Sequence, residues 1–239
     1  MVGGQLSAVY LKKVLATSRY FFSWLTDNEP GYKAIKHSWI HSLKIKRLSD
    51  VPKTREAVTL EEIQAIAISP VSSISERRAR AAVVFLFLSG MRIGAFVSLP
   101  LLAVDIPSRK VILYPSLGVR TKNSKNGITY LLDIPELLRV VKDWDDEVGA
   151  VLPPTGFWFA LLSPETGQID ISGTSVGENR STLARRSIKE FFESVNLTYH
   201  SPHKFRHGHI QYGAAHSKTV ADFKAVSMNV MQCKHGNYR

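Results

Sequence analysis

Residues 75–100 read SERRARAAVVFLFLSGMRIGAFVSLP, and this stretch decides what kind of fold the chain builds. It starts basic, with Arg77, Arg78 and Arg80, and becomes apolar over Ala81–Leu88. Such a run predicts one long helix, about Ser75–Ser89, whose later turns are apolar on every side and therefore sit inside a core. The run is far too short to cross a bilayer. Gly90 ends or interrupts the helix, because glycine accepts the left-handed conformation of a helix stop. A further helix should begin near Arg92 and stop before Pro100, which cannot continue it.

Outward from this centre the pattern is mostly helical. Thr59-Leu60-Glu61-Glu62 is a helix start, with a capping hydroxyl and acids at the positive end of the dipole. Between Arg109 and Asp133 the period changes. Val111-Ile112-Leu113-Tyr114 and Ile128-Thr129-Tyr130-Leu131-Leu132 are β-rich, and Asn126-Gly127 between them is a hairpin signal. A small antiparallel sheet of about three strands is expected. Helices resume at Pro135–Val148 and at about Ser181–Val195, with a loop-rich stretch from Pro153 to Asn179 between them. Ser201-Pro202 opens another helix, and a final one covers roughly Ser217–Met231. Toward the N-terminus, Ser7–Leu25 is an amphipathic helix with Leu11, Val14, Leu15, Phe21, Phe22 and Leu25 on its apolar face. A second helical stretch, about Tyr32–Leu43, runs into Lys44-Ile45-Lys46-Arg47, and Ser49–Lys53 reads as a linker. Two helices are a thin basis for a core, so residues 1–50 read as an incomplete N-terminal domain and residues 56–239 as the main one. The fold class is mainly α (α+β).

The 239 residues carry 31 Lys and Arg against 20 Asp and Glu, a net charge of +11. The excess is uneven: net +6 up to Glu56 and +5 over everything after it. Such a balance favours polyanionic partners and fast, salt-sensitive association with nucleic acid. The single cysteine, Cys233, excludes an internal disulfide. No signal peptide or membrane-spanning segment is legible, so a cytoplasmic, DNA-associated protein is expected. Walker and dinucleotide-binding patterns are absent, and no acidic cluster is spaced to hold two magnesium ions. No cofactor is expected. A chain like this that breaks phosphodiesters must use cations and protons from its own side chains.

Several residues could do so. His203 and Arg206, in His203-Lys204-Phe205-Arg206, lie three apart on one helix face. They follow a helix start, where unpaired N–H groups favour an anion. A metal shared by His200, His203, His207 or His209 is the competing reading, although no Glu follows His203 as in zinc proteases. Arg92 sits in the apolar setting Leu88-Ser89-Gly90-Met91-Arg92-Ile93-Gly94, so it either meets a fixed anion or snorkels to the surface. Lys122 and Lys125, beside Asn126-Gly127, either occupy a solvated turn or enter a groove and protonate a leaving oxygen.

Taken in order, these motifs resemble the tyrosine recombinase (phage integrase) family. Ser89-Gly90-Met91-Arg92-Ile93, with Leu99 and Asp105, resembles its first arginine box. Thr121-Lys122 followed by Tyr130–Pro135 resembles its lysine hairpin, and Pro202–Gly208 its second box. The likeness spans about Val58 to Met231, and residues 7–47 resemble the tail of the family's helical core-binding domain. It implies a helical catalytic domain, preceded by a partial DNA-binding domain, that acts on double-stranded DNA as a tetramer across two duplexes. It implies site-specific recombination or integration, as in mobile genetic elements. A tyrosine would attack a DNA phosphate and form a 3′-phosphotyrosyl bond, freeing a 5′-hydroxyl. Arg92 and Arg206 would grip the non-bridging oxygens, and Lys122, or alternatively Lys125, would protonate the departing oxygen. His203 would act in proton transfer or orient the phosphate. Tyr238 is the candidate nucleophile.

Two departures stand out. Gly94-Ala95-Phe96 follow Arg92 where the family often has an acid, and the position of the family's last His or Trp falls at Gln232, which puts the nucleophile's register just past Arg239. The alternative is a catalytically inactive, recombinase-like DNA-binding protein, with Tyr238 a terminal tyrosine of no role.

Overall fold

A computed structural model describes residues 8–44, 57–171, 177 and 179–230. Tyr238, Gln232, Ile45–Arg47 and the Ser49–Lys53 linker lie outside the described residues. The chain divides into two compact units, Met1–Thr54 and Arg55–Arg239.

In the first unit, α1 (Ala8–Asn28) is followed by one 3-10 turn at Pro30–Tyr32 and the short α2 (His37–Ser42). The expected second helix is thus shorter than its apolar residues suggested, because Pro30-Gly31 and the turn after it delay the start. Phe22 meets Trp39 edge-on at 5.1 Å. Leu11, Val14 and Phe21 on the expected apolar face stay exposed, since one six-residue helix cannot cover a 21-residue one.

The second unit is built around α4 (Ile74–Ser89), and every residue from Ala81 to Ser89 is buried. Ser73 caps it through a capping box with Glu76, and Gly90 stops it at φ +59°. Four helices pack around it: α3 (Leu60–Ile68), α6 (Pro135–Gly149), α7 (Arg180–Ser194) and α8 (Pro202–Ala215). Capping boxes also start α3, at Thr59 and Glu62, and the last described helix, α9 (Val220–Asn229), at Thr219 and Asp222. The side chain of Ser201 makes no capping hydrogen bond; Pro202 at the first turn of α8 supplies the start instead. The helix after Gly90, α5, is a single turn (Ile93–Phe96) with Arg92 at its N-cap. Among the described residues, no helix is long and apolar enough to cross a membrane.

The sheet has three antiparallel strands in sequence order: β1 (Val104–Asp105), β2 (Lys110–Leu113) and β3 (Gly127–Tyr130). Leu113 pairs with Gly127, so Asn126-Gly127 is not a two-residue hairpin turn. Residues 114–126 instead form a long connection with 3-10 turns at Pro115–Leu117 and Lys122–Ser124. Leu113, at the end of β2, and Val119, within the connection, are both buried.

The stretch Pro153–Asn179 has no regular element among its described residues, yet Phe157–Ala160 belong to the core. Trp158 packs against Phe85 with the rings tilted and their centroids 4.5 Å apart, and its indole N–H donates to Asp145 at 2.8 Å. Its carbonyl accepts from the Trp144 indole at 2.9 Å. Burying such a ring stabilises a fold by roughly 1.5–3 kcal/mol, so this apparent loop is a structural wall.

Candidate functional site

The site forms where the ends of α4, α8 and α9 meet the β2–β3 connection. It begins with Arg206, one of the few buried charges among the described residues. Its position on the second turn of α8 turns it inward, whereas His203, one turn earlier, stays exposed. Arg206 Nη1 donates to the Gly90 carbonyl at 2.6 Å, and Nη2 donates to the Val230 carbonyl. The guanidinium therefore ties the stop of α4 to the end of α9. Burial, and then repulsion from Arg92, lowers its pKa to about 10, so it remains charged at neutral pH.

Arg92 is exposed at the N-cap of α5, directly after the turn at Gly90-Met91. It lines a narrow pocket of about 20 Å3 with Arg206, Lys122, Arg120 and Asn229. It also lines an adjoining pocket of about 370 Å3 with Arg206, His203 and Arg185. No carboxylate is among the lining residues of either. Arg92, Lys122, His203 and Arg206, distant in the chain, thus meet around one pair of cavities that share both arginines. Lys125 does not line them. The choice between the lysines follows from the 3-10 turn: Lys122 opens it and Lys125 closes it.

The floor beneath is a buried polar cluster. The His209 ring is fully buried; Nδ1 donates to the Phe87 carbonyl at 2.9 Å, and Nε2 accepts from Asn229 Nδ2 at 3.0 Å. Burial lowers its pKa to about 4, leaving the ring neutral with its proton on Nδ1. The Asn229 amide also docks on the free edge of β3. Its Oδ1 accepts from the Tyr130 N–H at 2.5 Å and its Nδ2 donates to the Tyr130 carbonyl at 2.9 Å. Thr129 Oγ1 lies 2.7 Å from Asn229 Oδ1 and 2.9 Å from the Ser89 carbonyl. Asn229 therefore joins α9, β3 and α8, and with them the connection that carries Lys122.

Two glycines permit this closeness. A Cβ on Gly90 would lie 2.6 Å from His209 Cδ2, and one on Gly208 would lie 2.2 Å from the Val58 carbonyl oxygen.

The histidines do not converge as a donor set. His209 is in the floor, His200 pairs with Glu62 at 2.9 Å, and the His203 and His207 rings meet edge to face at 4.4 Å. Among the described residues, no group of three or more His, Cys, Asp or Glu could hold a metal. Tyr238 is outside the described residues. Sequence reading missed Asn229, Arg120 and Arg185. No local pattern marks them; only the tertiary approach of α7, α9 and the β2–β3 connection gives them a place at the site.

No protein-family model matches the sequence, and no curated protein sequence matches it. Solved structures do. The XerH site-specific recombinase bound to its difH substrate matches with TM-score 0.59 and 13% identity, covering 95% of this chain and 60% of that one. A lambda integrase tetramer bound to a Holliday junction matches with TM-score 0.57 and 13% identity, again covering 95% and 60%. The Tn1549 transposon integrase in complex with circular intermediate DNA matches with TM-score 0.52 and 14% identity, covering 98% and 77%. This chain thus spans about three-fifths of the length of the first two. The fold is that of the tyrosine recombinases: a helical domain with a small antiparallel sheet.

Proposed function

We propose that this chain, carrying the tyrosine-recombinase fold, binds double-stranded DNA and cuts and rejoins it in site-specific recombination. One observation supports this reading above the others. Arg92, Arg206 and Lys122 line one pocket, His203 lines its neighbour, and no acid lines either. A phosphodiester is the anion that such a set is built to receive.

In this reading the backbone phosphate sits against Arg92 and Arg206. Arg206 is held rigidly by two carbonyls, so it needs little reorganisation as negative charge builds on the non-bridging oxygens. The Tyr238 hydroxyl oxygen bonds to phosphorus, and the bond from phosphorus to the 5′ oxygen breaks. Lys122 gives that oxygen its proton, and His203 takes up the proton that the attacking hydroxyl loses. The reverse sequence rejoins the strand. Residues 1–54 are a partial core-binding domain in this scheme, and assembly on two duplexes is as a tetramer.

A duplex carrying a nick beside the scission point tests the scheme, because the freed 5′ fragment diffuses away and the covalent complex accumulates. A stable adduct that Tyr238→Phe abolishes supports cleavage by this chain. Salt-sensitive duplex binding with no adduct at any cognate site would leave the second reading, a DNA-binding protein without chemistry.

A further inference from the structure

A second group of arginines lies in the same unit, lining a different cleft from Arg92 and Arg206, with Arg120 of the first pocket near enough to repel Arg180. Arg180, at the start of α7, is 4% exposed. Its Nε donates to the Val97 carbonyl at 2.8 Å and its Nη2 to the Phe159 carbonyl at 2.7 Å, with the guanidinium 4.3 Å above the Phe157 ring. Its Nη1 is buried and has no partner. Arg78, on α4, donates from Nη1 to the Ala160 carbonyl at 2.7 Å and from Nη2 to Ser187 Oγ at 3.4 Å. It lies 4.4 Å over Phe159, and its Nε is also buried without a partner. Both guanidiniums line one cleft of about 300 Å3, walled by Ser75, Ser187 and the apolar Phe159 and Leu183.

Among the described residues, the cleft offers no unpaired counterion. A buried guanidinium is ordinarily matched by a carboxylate, since removing the charge from water is otherwise poorly compensated. Here two stand close enough to repel, and among the described residues their hydrogen-bond acceptors are three carbonyls and one hydroxyl. Among the described residues that line the cleft, the acid is Glu190, which is exposed and already taken by Arg186 at 2.8 Å. Burial brings both Arg78 and Arg180 down to about 10, so both are still cationic at neutral pH.

We propose that this cleft between α4 and α7 binds a phosphate-type oxyanion through Arg78 and Arg180, with the Ser75 and Ser187 hydroxyls as further donors. A tetrahedral oxyanion supplies several acceptors to two guanidiniums at once and cancels their repulsion. The apolar wall beside the cations also accommodates an organic group carrying the phosphate. The site is independent of the Arg92–Arg206 pocket, and its failure would leave that reading untouched.

Calorimetric titration of the full chain with inorganic phosphate, at constant ionic strength, tests it. Two sites of phosphate binding are expected, one of them retained in Arg92→Gln. Ser187→Asp sets a carboxylate beside Arg78 Nη2; it should raise Tm in the absence of phosphate and weaken the retained site at least tenfold. Phenyl phosphate separates the two sources: equal affinity assigns the free ion, and tighter binding assigns an organic phosphate. The proposal is overturned if Arg92→Gln abolishes all phosphate binding, if Ser187→Asp leaves the retained site unchanged, or if phosphate at 10 mM does not bind, roughly the upper range for a weak specific anion site.

Discussion

Lowering the pH from 7.5 to 5.0 should destabilise this protein by about 2 kcal/mol, and His209 should be the reason. Its ring is wholly buried between the Phe87 carbonyl and Asn229, with Arg206 nearby adding repulsion. Burial brings its pKa from 6.5 to about 4. Above pH 6.5 the imidazole is neutral whether the chain is folded or not, and its contribution is complete. Between 6.5 and 4 the unfolded chain takes up a proton that the folded chain refuses, so stability falls. Below about 4 the loss is complete, at about 3 kcal/mol. The carboxylates held low by hydrogen bonds act in a more acidic range. Glu76, brought to about 2 by the Ser72 and Ser73 amides, and Asp222, lowered by the Thr219 amide, lose their contribution below about pH 4.5. Urea unfolding at half-unit steps from pH 5.0 to 7.5 isolates the histidine, and His209→Gln should flatten the profile. A wild-type unfolding free energy constant to within about 0.5 kcal/mol over that range, or an equally steep slope in His209→Gln, would refute the argument.

Three further outcomes are expected. Gly90→Ala must place a Cβ 2.6 Å from the His209 ring at φ +59°, so it should lower stability by roughly 1–3 kcal/mol in thermal or urea unfolding. Asn229→Ala removes the amide that holds Tyr130 and leaves His209 Nε2 without its donor. It should cost about 1–2 kcal/mol and speed amide hydrogen exchange at Tyr130, where an unchanged exchange rate would contradict the docking role. Arg92→Gln should weaken duplex binding and reduce the slope of log affinity against log salt by about 1, as one lost phosphate contact does; an unchanged slope would remove Arg92 from the DNA contact set.

The central helix was legible because its cause is local. A basic start, an apolar run through its later turns and the stop at Gly90 lie within one stretch of sequence, while the capping box of Ser73 and Glu76 came only with the structure. Periodicity and capping residues likewise marked α3 and α6–α9 to within a few residues. The β2–β3 connection was misread as a tight turn at Asn126-Gly127, because the dipeptide has the right chemistry and only the pairing of Leu113 with Gly127 shows it opening β3. Phe157–Ala160 were unreadable as core for a related reason: they carry no repeat, and their burial depends on α4, α6 and two arginines from elsewhere.

At the site the division is similar. Sequence alone determined which charged residues to watch, since Arg92 follows a glycine stop, His203 and Arg206 share a helix start, and the net charge is +11. Tertiary structure decided that Arg92, Lys122, His203 and Arg206 border one pair of pockets, that Lys122 rather than Lys125 is there, and that Asn229 binds the parts together. Helix caps and apolar periods act between neighbours a few residues apart, so the chain writes them out in order. The meeting of distant side chains depends on how whole helices pack, which no short stretch of sequence encodes.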